Sequence, residues 1–457
     1  MSNIFKYLKE SILKRSNNIK PTQVLVLGFG VIIIIGSILL CLPVASKSGE
    51  STSYLTAIFT ATSAVCVTGL VVVDTATYWS PFGQGIILFM IQIGGLGFMT
   101  LTTLLLLVSG KRITYKERLI LHTSFNTNNL QGVVKFTKYV LIFTFLVEGI
   151  GAVLLSIRFI PEFGMQKGIV MSIFHSISAF CNAGFDLVGN FRSFTPYAND
   201  FLINFTLGML IIIGGLGFFV VSDIFRNKTF KKFTMQTKLV LSISGVLVIF
   251  GAVFMYFTEF NNPSTMNDLP WYGKIFSSVF HSITPRTAGF NTLDMANMST
   301  AAIFLTIVYM FIGGSPGSTA GGVKTTTIGA VLITVTSLLR GKNEAEAFRR
   351  SISINVIKRA VAVISIGLFI VILVIMILSI TEDATFVEIV FEAFSAFGTV
   401  GLSMGLTTKL STIGRVVIMF TMFIGRLGPL TIAFAICEMQ SSEGGTYKYP
   451  EGNILVG

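Results

Sequence analysis

The stretch "FHSISAFCNAGF", residues 174–185, decides the fold because the chain contains it four times in related form. The other copies are "FTATSAVCVTGL" at 59–70, "FHSITPRTAGF" at 280–290 and "FEAFSAFGTVGL" at 391–402. Each copy begins with Phe, passes through small and hydroxyl residues, and ends in a glycine followed by Leu or Phe. The copies recur at intervals of roughly 100 to 120 residues, a period that indicates internal repeats.

A second line of sequence follows each copy at a similar distance. It reads "IGGLGF" from Ile93, "IGGLGF" from Ile213, "IGGSPG" from Ile312 and "IGRLGP" from Ile424. Because two lines repeat together, the similarity indicates four related structural units.

The composition places these units in a membrane. Of the 457 residues, 52% are hydrophobic and 12% are charged, and the mean hydropathy is +0.79. A soluble protein carries about 25% charged residues. The basic stretch at 1–20 lacks the apolar core of a cleavable signal and is interpreted as a retained cytoplasmic helix. The cysteines have no C-x-x-C spacing, so neither a disulfide framework nor a zinc site is indicated.

The net charge of +12 is concentrated in alternate connections between apolar runs. Lysines and arginines cluster at residues 6–20, 111–138, 226–238 and 340–359. This distribution follows the positive-inside rule, so these clusters and both termini are expected in the cytoplasm. Nucleic-acid binding is not favoured, whereas contact with the lipid bilayer is expected.

Each unit reads as a helix, a short re-entrant segment and a second helix. A first apolar run, at 23–42, 138–160, 238–258 or 360–380, is long enough to cross a bilayer core of about 30 Å. The Phe-to-Gly segment, of about 10 to 14 residues, is too short to cross and should dip in and return. A second run crosses back at 84–108, 201–225, 301–338 or 412–437.

Units that cross twice share one orientation, so their axis lies along the membrane normal. The sequence therefore predicts an all-α integral membrane protein with four parallel helix/pore-loop/helix repeats, eight transmembrane helices in all, around a pseudo-fourfold central pore. The predicted divisions are a cytoplasmic N-terminal segment at 1–22, repeats at 23–110, 111–235, 236–345 and 346–440, and a C-terminal tail at 441–457.

The re-entrant segments predict a cation site. Non-helical backbone at membrane depth must be satisfied by protein or by a water-filled cavity. Short helices that end near the axis point the negative ends of their dipoles inward, and loop carbonyls can replace the hydration shell of an ion. The predicted selectivity-filter residues are Val67, Thr68, Gly69, Asn182, Ala183, Gly184, Thr287, Ala288, Gly289, Thr399, Val400 and Gly401. A motif that only packs helices together is the alternative.

These motifs resemble a known family. With "TPRTAGFN" in the third unit, "FSAFGTVGL" and "MFIGRLGPLT" in the fourth and "IQIGGLGFMT" in the first, the chain resembles the Trk/Ktr/HKT potassium transporter superfamily over nearly its whole length. Of these motifs, "IQIGGLGFMT" is similar to the KtrB-type membrane subunit of that superfamily. Glycine at all four filter positions is similar to the potassium-selective members.

The resemblance implies potassium uptake across the cell (plasma) membrane by a homodimer. It also implies a partner, a cytosolic nucleotide-binding RCK-type ring (KtrA-like). On this basis no cofactor is expected in the chain itself, nucleotide would act only through the partner, and sodium is a candidate activator. A sodium-coupled symporter or a less selective monovalent cation channel is the alternative. An enzyme would need a convergent set of His, Cys or carboxylate residues, and the sequence does not indicate one.

The stretch "GGSPGSTAGGVKTTT", residues 313–327, interrupts the second run of the third unit, which is nearly twice the length needed to cross. A phosphate-binding loop is excluded because Val323 stands where that motif requires glycine before lysine. Proline and several glycines disfavour helix, so a loop across the ion path is predicted. A cytoplasmic turn is the alternative. The resemblance implies a gate, whose predicted residues are Gly313, Gly314, Ser315, Pro316, Gly317, Ser318, Thr319, Ala320, Gly321, Gly322, Lys324 and Arg426.

Arg426 replaces a glycine of the other units, and burying it in a membrane costs about 2.5 to 3.5 kcal/mol. We therefore expect it to bind carbonyls of the gate loop and to add a positive barrier, with a purely structural role as the alternative. Lys324 either shares this role or reaches the cytoplasmic interface.

Four further polar residues carry expectations of their own. Arg286 should point behind the filter to a carboxylate such as Glu392. Glu148 is either a partner of the pore-loop shell or a locally bonded helix residue. His175 and His281 are interpreted as packing and hydrogen-bonding residues of the short helices, with no catalytic role.

Overall fold

The structure, a computed structural model, describes residues 21–97, 133–342 and 344–431. Several expectations lie outside these residues: the basic residues at 111–118, the predicted ends of the first and fourth second runs, Cys437, most of the predicted N-terminal segment and all of the predicted C-terminal tail. The boundaries predicted between the repeats stay a prediction.

The described part of the chain is mostly helical. In chain order its helices are α1 Pro21–Cys41, α2 Tyr54–Val65, α3 Thr75–Tyr78, α4 Pro81–Leu96, α5 Val133–Phe163, α6 Met165–Phe180, α7 Phe201–Leu216, α8 Phe218–Asn227, α9 Met235–Glu259, α10 Trp271–Ile283, α11 Thr300–Phe311, α12 Thr325–Leu339, α13 Ile354–Thr381, α14 Phe386–Gly398 and α15 Thr412–Leu427. Two short strands, β1 Glu346–Ala347 and β2 Arg350–Ser351, pair antiparallel between α12 and α13.

The order long helix, short helix, loop, second helix occurs four times. The long helices are α1, α5, α9 and α13, and each is long and apolar enough to cross a membrane. Their outer faces are apolar, as Ile249 at 68% exposure and Phe257 at 75% exposure show on α9. In a bilayer such faces contact lipid, which is as apolar as the side chains themselves.

The four short helices α2, α6, α10 and α14 lie inside the molecule. The phenylalanine that opens each repeated line is buried: these residues are Phe59, Phe174, Phe280 and Phe391. Two of the four short helices have side-chain caps at their N-termini. The Ser53 side chain accepts from the Thr56 amide at the start of α2, and Thr385 forms a capping box with Glu388 at the start of α14. The short helices are therefore held as a core layer within the long ones.

The second helices differ from the sequence-based expectation. We predicted a break only in the third unit, but α4, α7 and α15 end at Gly97, Gly217 and Gly428, whose φ angles are 80°, 91° and 87°. A residue at such a φ cannot continue a right-handed helix. The predicted single run at 201–225 is therefore wrong as one helix, because α7 and α8 meet at 95°.

Candidate functional site

The four repeated glycines meet at one place. A Cβ added at Gly184 would lie 2.9 Å from the Ala288 carbonyl oxygen and 3.1 Å from the Gly289 Cα. The same kind of contact joins Gly69 to Ala183 and Gly184, Gly289 to Val400 and Gly401, and Gly401 to Thr68 and Gly69. These contacts close a circuit in chain order, which we call the glycine ring. Four loops far apart in the sequence thus converge around one axis.

The ring is lined by backbone oxygen. The carbonyl of the residue before each glycine lies against the glycine of a neighbouring loop, and these residues are Thr68, Ala183, Ala288 and Val400. Carbonyl oxygens arranged in a ring are the groups that replace the hydration shell of a cation. The predicted filter residues are thus brought together at the ring.

All four loops share an uncommon backbone. The residue two positions before each glycine has a positive φ, namely 56° at Val67, 59° at Asn182, 75° at Thr287 and 52° at Thr399. The glycines themselves have φ of 70° to 93°. Three of the four non-glycine residues are β-branched, for which this region is strained. Such strain persists only where the surroundings fix the conformation.

Hydroxyl side chains behind the loops fix this conformation. The amides of Gly69 and Gly401 each donate to a serine, Ser63 and Ser395, over 3.1 Å. In the second and third units Ser178 and Thr284 instead donate to the carbonyls of Phe185 and Phe290, over 2.7 Å and 2.5 Å. Sequence reasoning noted hydroxyl residues in the repeated line but assigned them no role. Their position, five or six residues before each glycine, was the available signal.

The segment at 312–324 forms a loop beneath the ring. A parallel bridge pairs Ile312 with Val323 at its neck, where the Gly313 amide donates to the Val323 carbonyl over 2.9 Å. On the other side of the loop, a Cβ on Gly321 would contact the Thr399 side chain of the fourth ring loop. The loop is therefore packed against the ring, which favours the predicted loop over the alternative of a cytoplasmic turn.

The second unit holds one side of this loop. Ser315 and Thr319 donate their amides to the carbonyls of Gly215 and Gly214 over 2.9 Å and 3.2 Å. The Thr319 hydroxyl donates to the Phe180 carbonyl, at the end of α6, over 3.1 Å. The loop is thereby bonded to α6 and α7 of the second unit.

Arg426 holds the other side. Its guanidinium donates to the carbonyls of Thr319 in the loop and Gly94 in α4, and to the Gly95 carbonyl over 3.3 Å. The fourth unit is thus tied to the loop and to the first unit through one side chain. Lys324 donates to the Ala320 and Gly321 carbonyls over 2.6 Å and 3.3 Å, so its ammonium stays within the loop. Two basic side chains therefore lie beneath the ring.

The expected pairing of Arg286 with Glu392 is wrong. Arg286 donates from Nη2 to the Ser244 hydroxyl over 2.9 Å, because α9, which carries Ser244, packs behind the third loop. Glu392 accepts hydrogen bonds from Ser403, over 2.8 Å, and from Thr407. These residues follow the fourth ring loop, so the carboxylate and the guanidinium are engaged with different elements.

Glu148 lies between helices. Its carboxylate accepts from Gln92 Nε2 over 3.0 Å and lies 3.9 Å from the Cys181 Sγ, next to Asn182. Of the two alternatives for Glu148, the structure therefore favours a partner in the shell around the second loop. His175 and His281 make hydrogen bonds within the buried layer, as expected: each accepts a backbone amide at Nε2, from Leu187 over 3.0 Å and from Leu293 over 3.1 Å.

Comparisons with known proteins agree with this arrangement. The family model described as TrkH, cation transport protein, matches residues 6–444. The chain is 44% identical to Ktr system potassium uptake protein B of Bacillus subtilis over 96% of this chain and 97% of that protein. It is also 44% identical to the potassium/sodium uptake protein NtpJ of Enterococcus hirae, over 98% and 99% of the two chains.

A similar fold is found among solved structures. The crystal structure of the potassium transporter TrkH from Vibrio parahaemolyticus matches with a TM-score of 0.71 at 18% identity. The match covers 92% of this chain and 84% of that one. At this identity the likeness concerns the fold alone.

Proposed function

The chain belongs to the TrkH family of cation transport proteins, and from that premise we propose that it takes up potassium ions through the glycine ring, gated by the intramembrane loop at 313–325. As a membrane-embedded transporter it is not an enzyme. The observation that carries the proposal is the circuit of four carbonyl oxygens, because a dehydrated cation needs such oxygens on every side.

The gate is proposed from contacts below the ring. The loop is bonded to the second unit, and Arg426 binds it to the first and fourth. A guanidinium in the path repels a monovalent cation by about 1 to 4 kcal/mol at 4 Å, depending on screening. Uptake therefore requires that Arg426 or the loop move away from the axis.

The finer architecture is part of this proposal. We infer eight membrane crossings in four parallel repeats around a pseudo-fourfold pore, with the termini in the cytoplasm of a plasma-membrane protein. We also propose a homodimer with a cytosolic nucleotide-binding RCK-type ring. The relatives named as Ktr system proteins support a partner subunit, because their names describe one component of a system. Nucleotide would act through that partner only.

The test is potassium and sodium flux into liposomes that contain the full chain, beside a Gly69→Ser variant. Gly69 has a φ of 90° and contacts the next loop, so serine should distort the ring and lower the preference for potassium. Gly49→Ser is the matched control, since Gly49 has a φ of 74° but nothing within 4 Å of an added Cβ. No flux of either ion, with or without an added regulatory ring, would refute the proposal.

A second candidate is potassium uptake coupled to sodium, or a pathway of lower selectivity. The name of the Enterococcus hirae relative, a potassium/sodium uptake protein, favours it. Flux measured at fixed potassium and increasing sodium separates the two. Coupled transport gives a fixed ratio of the two ions, whereas activation by sodium changes the potassium rate without sodium entry.

A further inference from the structure

The residue after the repeated phenylalanine ties three of the short helices to the chain beyond the ring. His175 accepts the Leu187 amide and His281 the Leu293 amide, three and four residues after their glycines. Glu392 accepts the hydroxyl of Ser403, two residues after Gly401. In the first unit Thr60 bonds within its own helix, to Thr56. One position thus serves as a tie in three units.

The tie itself needs no charge. Both histidines accept a backbone amide at Nε2, so that nitrogen carries no proton and the ring is neutral. Burial of a carboxylate costs far more than burial of a neutral acceptor. A carboxylate at this position therefore brings a negative charge that the two neutral histidine ties do not have.

The Glu392 carboxylate is buried without a counter-ion. The residue has 0% exposure, and within residues 21–97, 133–342 and 344–431 no Lys or Arg side chain lies within ion-pair distance of it. Its two oxygens accept from the hydroxyls of Ser403 and Thr407. Burial disfavours the charged form of a carboxyl group, whereas hydrogen bonds of this kind and a cation close by favour it.

The position of this charge relates it to the ring. The loop at 312–324 and Arg426 contact residues that precede or flank the ring from below, such as Phe180 and Gly94, whereas Ser403 and Thr407 follow Gly401. The hydrogen-bond partners of Glu392 thus follow the ring in the chain, whereas the loop and Arg426 bind residues that precede or flank it. Two residues of chain and one hydrogen bond separate it from Gly401, a distance on the order of 10 Å.

We propose that Glu392 is an affinity-determining residue of the transport pathway, whose uncompensated negative charge draws a monovalent cation to the mouth of the ring opposite the gate loop. This inference rests on the proposed potassium uptake and adds an asymmetry to it. The four loops offer similar carbonyls, but only the fourth carries a buried carboxylate at the tie position. The transported cation itself serves as the counter-ion.

The experiment compares Glu392→Gln with Glu388→Gln in the full chain. Glu388 lies one turn earlier on α14, where glutamine can also serve in the capping box, so this control removes the same charge from the same helix. Potassium binding is measured by the potassium-dependent rise in thermal stability of the purified protein. Uptake into liposomes gives KM and Vmax separately.

Glu392→Gln should raise both the Kd and the KM for potassium about 15-fold, the effect of one charge at about 10 Å and an effective dielectric constant of about 20. Vmax should stay within about twofold, Glu392→Asp should recover most of the affinity, and Glu388→Gln should resemble the parent. Ser403→Ala, which weakens the tie but keeps the charge, should also retain potassium affinity. A purely structural role predicts instead that Ser403→Ala and Glu392→Gln lose affinity alike.

In water, one charge at about 10 Å would change Kd by only about twofold. A change in Kd and KM smaller than that in Glu392→Gln overturns the inference. So does an equal loss of affinity in Ser403→Ala. A parent protein that shows neither potassium-dependent stabilisation nor potassium flux overturns the proposed function instead, so the two failures are distinguishable.

Discussion

The four loops of the glycine ring are alike, whereas the four segments directly beneath them are not. Every loop has a positive φ at its glycine and two residues before it, and every loop is fixed by a hydroxyl from its own short helix. Below the ring, the equivalent positions hold Gly95, Gly215, Gly314 and Arg426, and within residues 21–97, 133–342 and 344–431 only the third unit inserts a loop.

This difference indicates a division of labour along one axis. In the proposed function, a cation without its water needs similar oxygens on every side, and four similar loops would supply them. A barrier that opens needs only one movable element and a contact that holds it. The repeat is therefore kept at the ring and altered below it, and each prediction that follows tests one side of this contrast.

The largest effect is expected at the ring, in Gly401→Ala. The added Cβ would collide with the Thr68 carbonyl at a φ of 93°. Left-handed backbone costs alanine about 1 to 2 kcal/mol, and the overlap adds about 1 to 3 kcal/mol. Potassium flux should therefore fall on the order of 100-fold, measured in liposomes.

Gly405→Ala is its matched control. Gly405 has a φ of 96° but nothing within 4 Å of an added Cβ, so it carries the same backbone strain without the collision. If both variants lose flux equally, strain in the chain after the loop explains the loss and the ring contact does not.

Below the ring, Arg426→Ala should change potassium flux in the opposite direction. It removes the cation and three hydrogen bonds to the loop and α4, so flux per folded protein should rise about tenfold or more. Arg415→Ala, on the same helix, removes a guanidinium bonded only locally, to the Leu410 carbonyl over 3.1 Å, and should leave flux unchanged. A fall in flux in Arg426→Ala would show that Arg426 supports the open pathway.

Ser395→Ala tests the support behind the ring. It leaves the Gly401 amide without its side-chain acceptor, at a cost of about 1 to 3 kcal/mol. We expect the ratio of potassium to sodium flux to fall about fivefold, the equivalent of about 1 kcal/mol. Ser379→Ala, which removes a bond from an exposed serine to its own helix, should leave the ratio unchanged. An unchanged ratio in Ser395→Ala would mean that the loop keeps its conformation without the hydroxyl.

The smallest effect is expected from Thr319→Val. It removes the one side-chain bond from the loop to the Phe180 carbonyl, which is worth about 0.5 to 1.5 kcal/mol. A looser loop should raise flux about threefold. Ser318→Ala removes a bond inside the loop instead, to the Ser315 carbonyl over 2.6 Å. If Ser318→Ala raises flux as much as Thr319→Val, the internal shape of the loop matters more than its docking.

Sequence reasoning predicted the features that are written as repeats. The short helices and the convergence of the loops follow from the spacing of Phe59, Gly69 and their counterparts, because a segment of that length cannot cross a membrane. The contact of Arg426 with the loop at 313–325 follows from the cost of an unpaired charge in lipid.

What the sequence did not predict depends on tertiary neighbours. Arg286 reaches Ser244 rather than Glu392, since its direction is set by the packing of α9 and not by the charge of any carboxylate. The bend at Gly217 was missed because "IGGLGF" is apolar enough to continue a helix, and only the φ of 91° ends it. In a sequence, a glycine that continues a helix and a glycine that ends one look the same.

The neck of the loop at 312–324 has a consequence for timing. Because Ile312 and Val323 are paired, the ten residues at 313–322 form an Ω-shaped excursion whose two ends are already together. Free loops of this size move within nanoseconds to microseconds, and the opening of a docked loop takes microseconds or longer. Under the proposed gating, many openings average into the measured flux, and a partner subunit would act by changing the fraction of time the loop spends open rather than the speed of each opening.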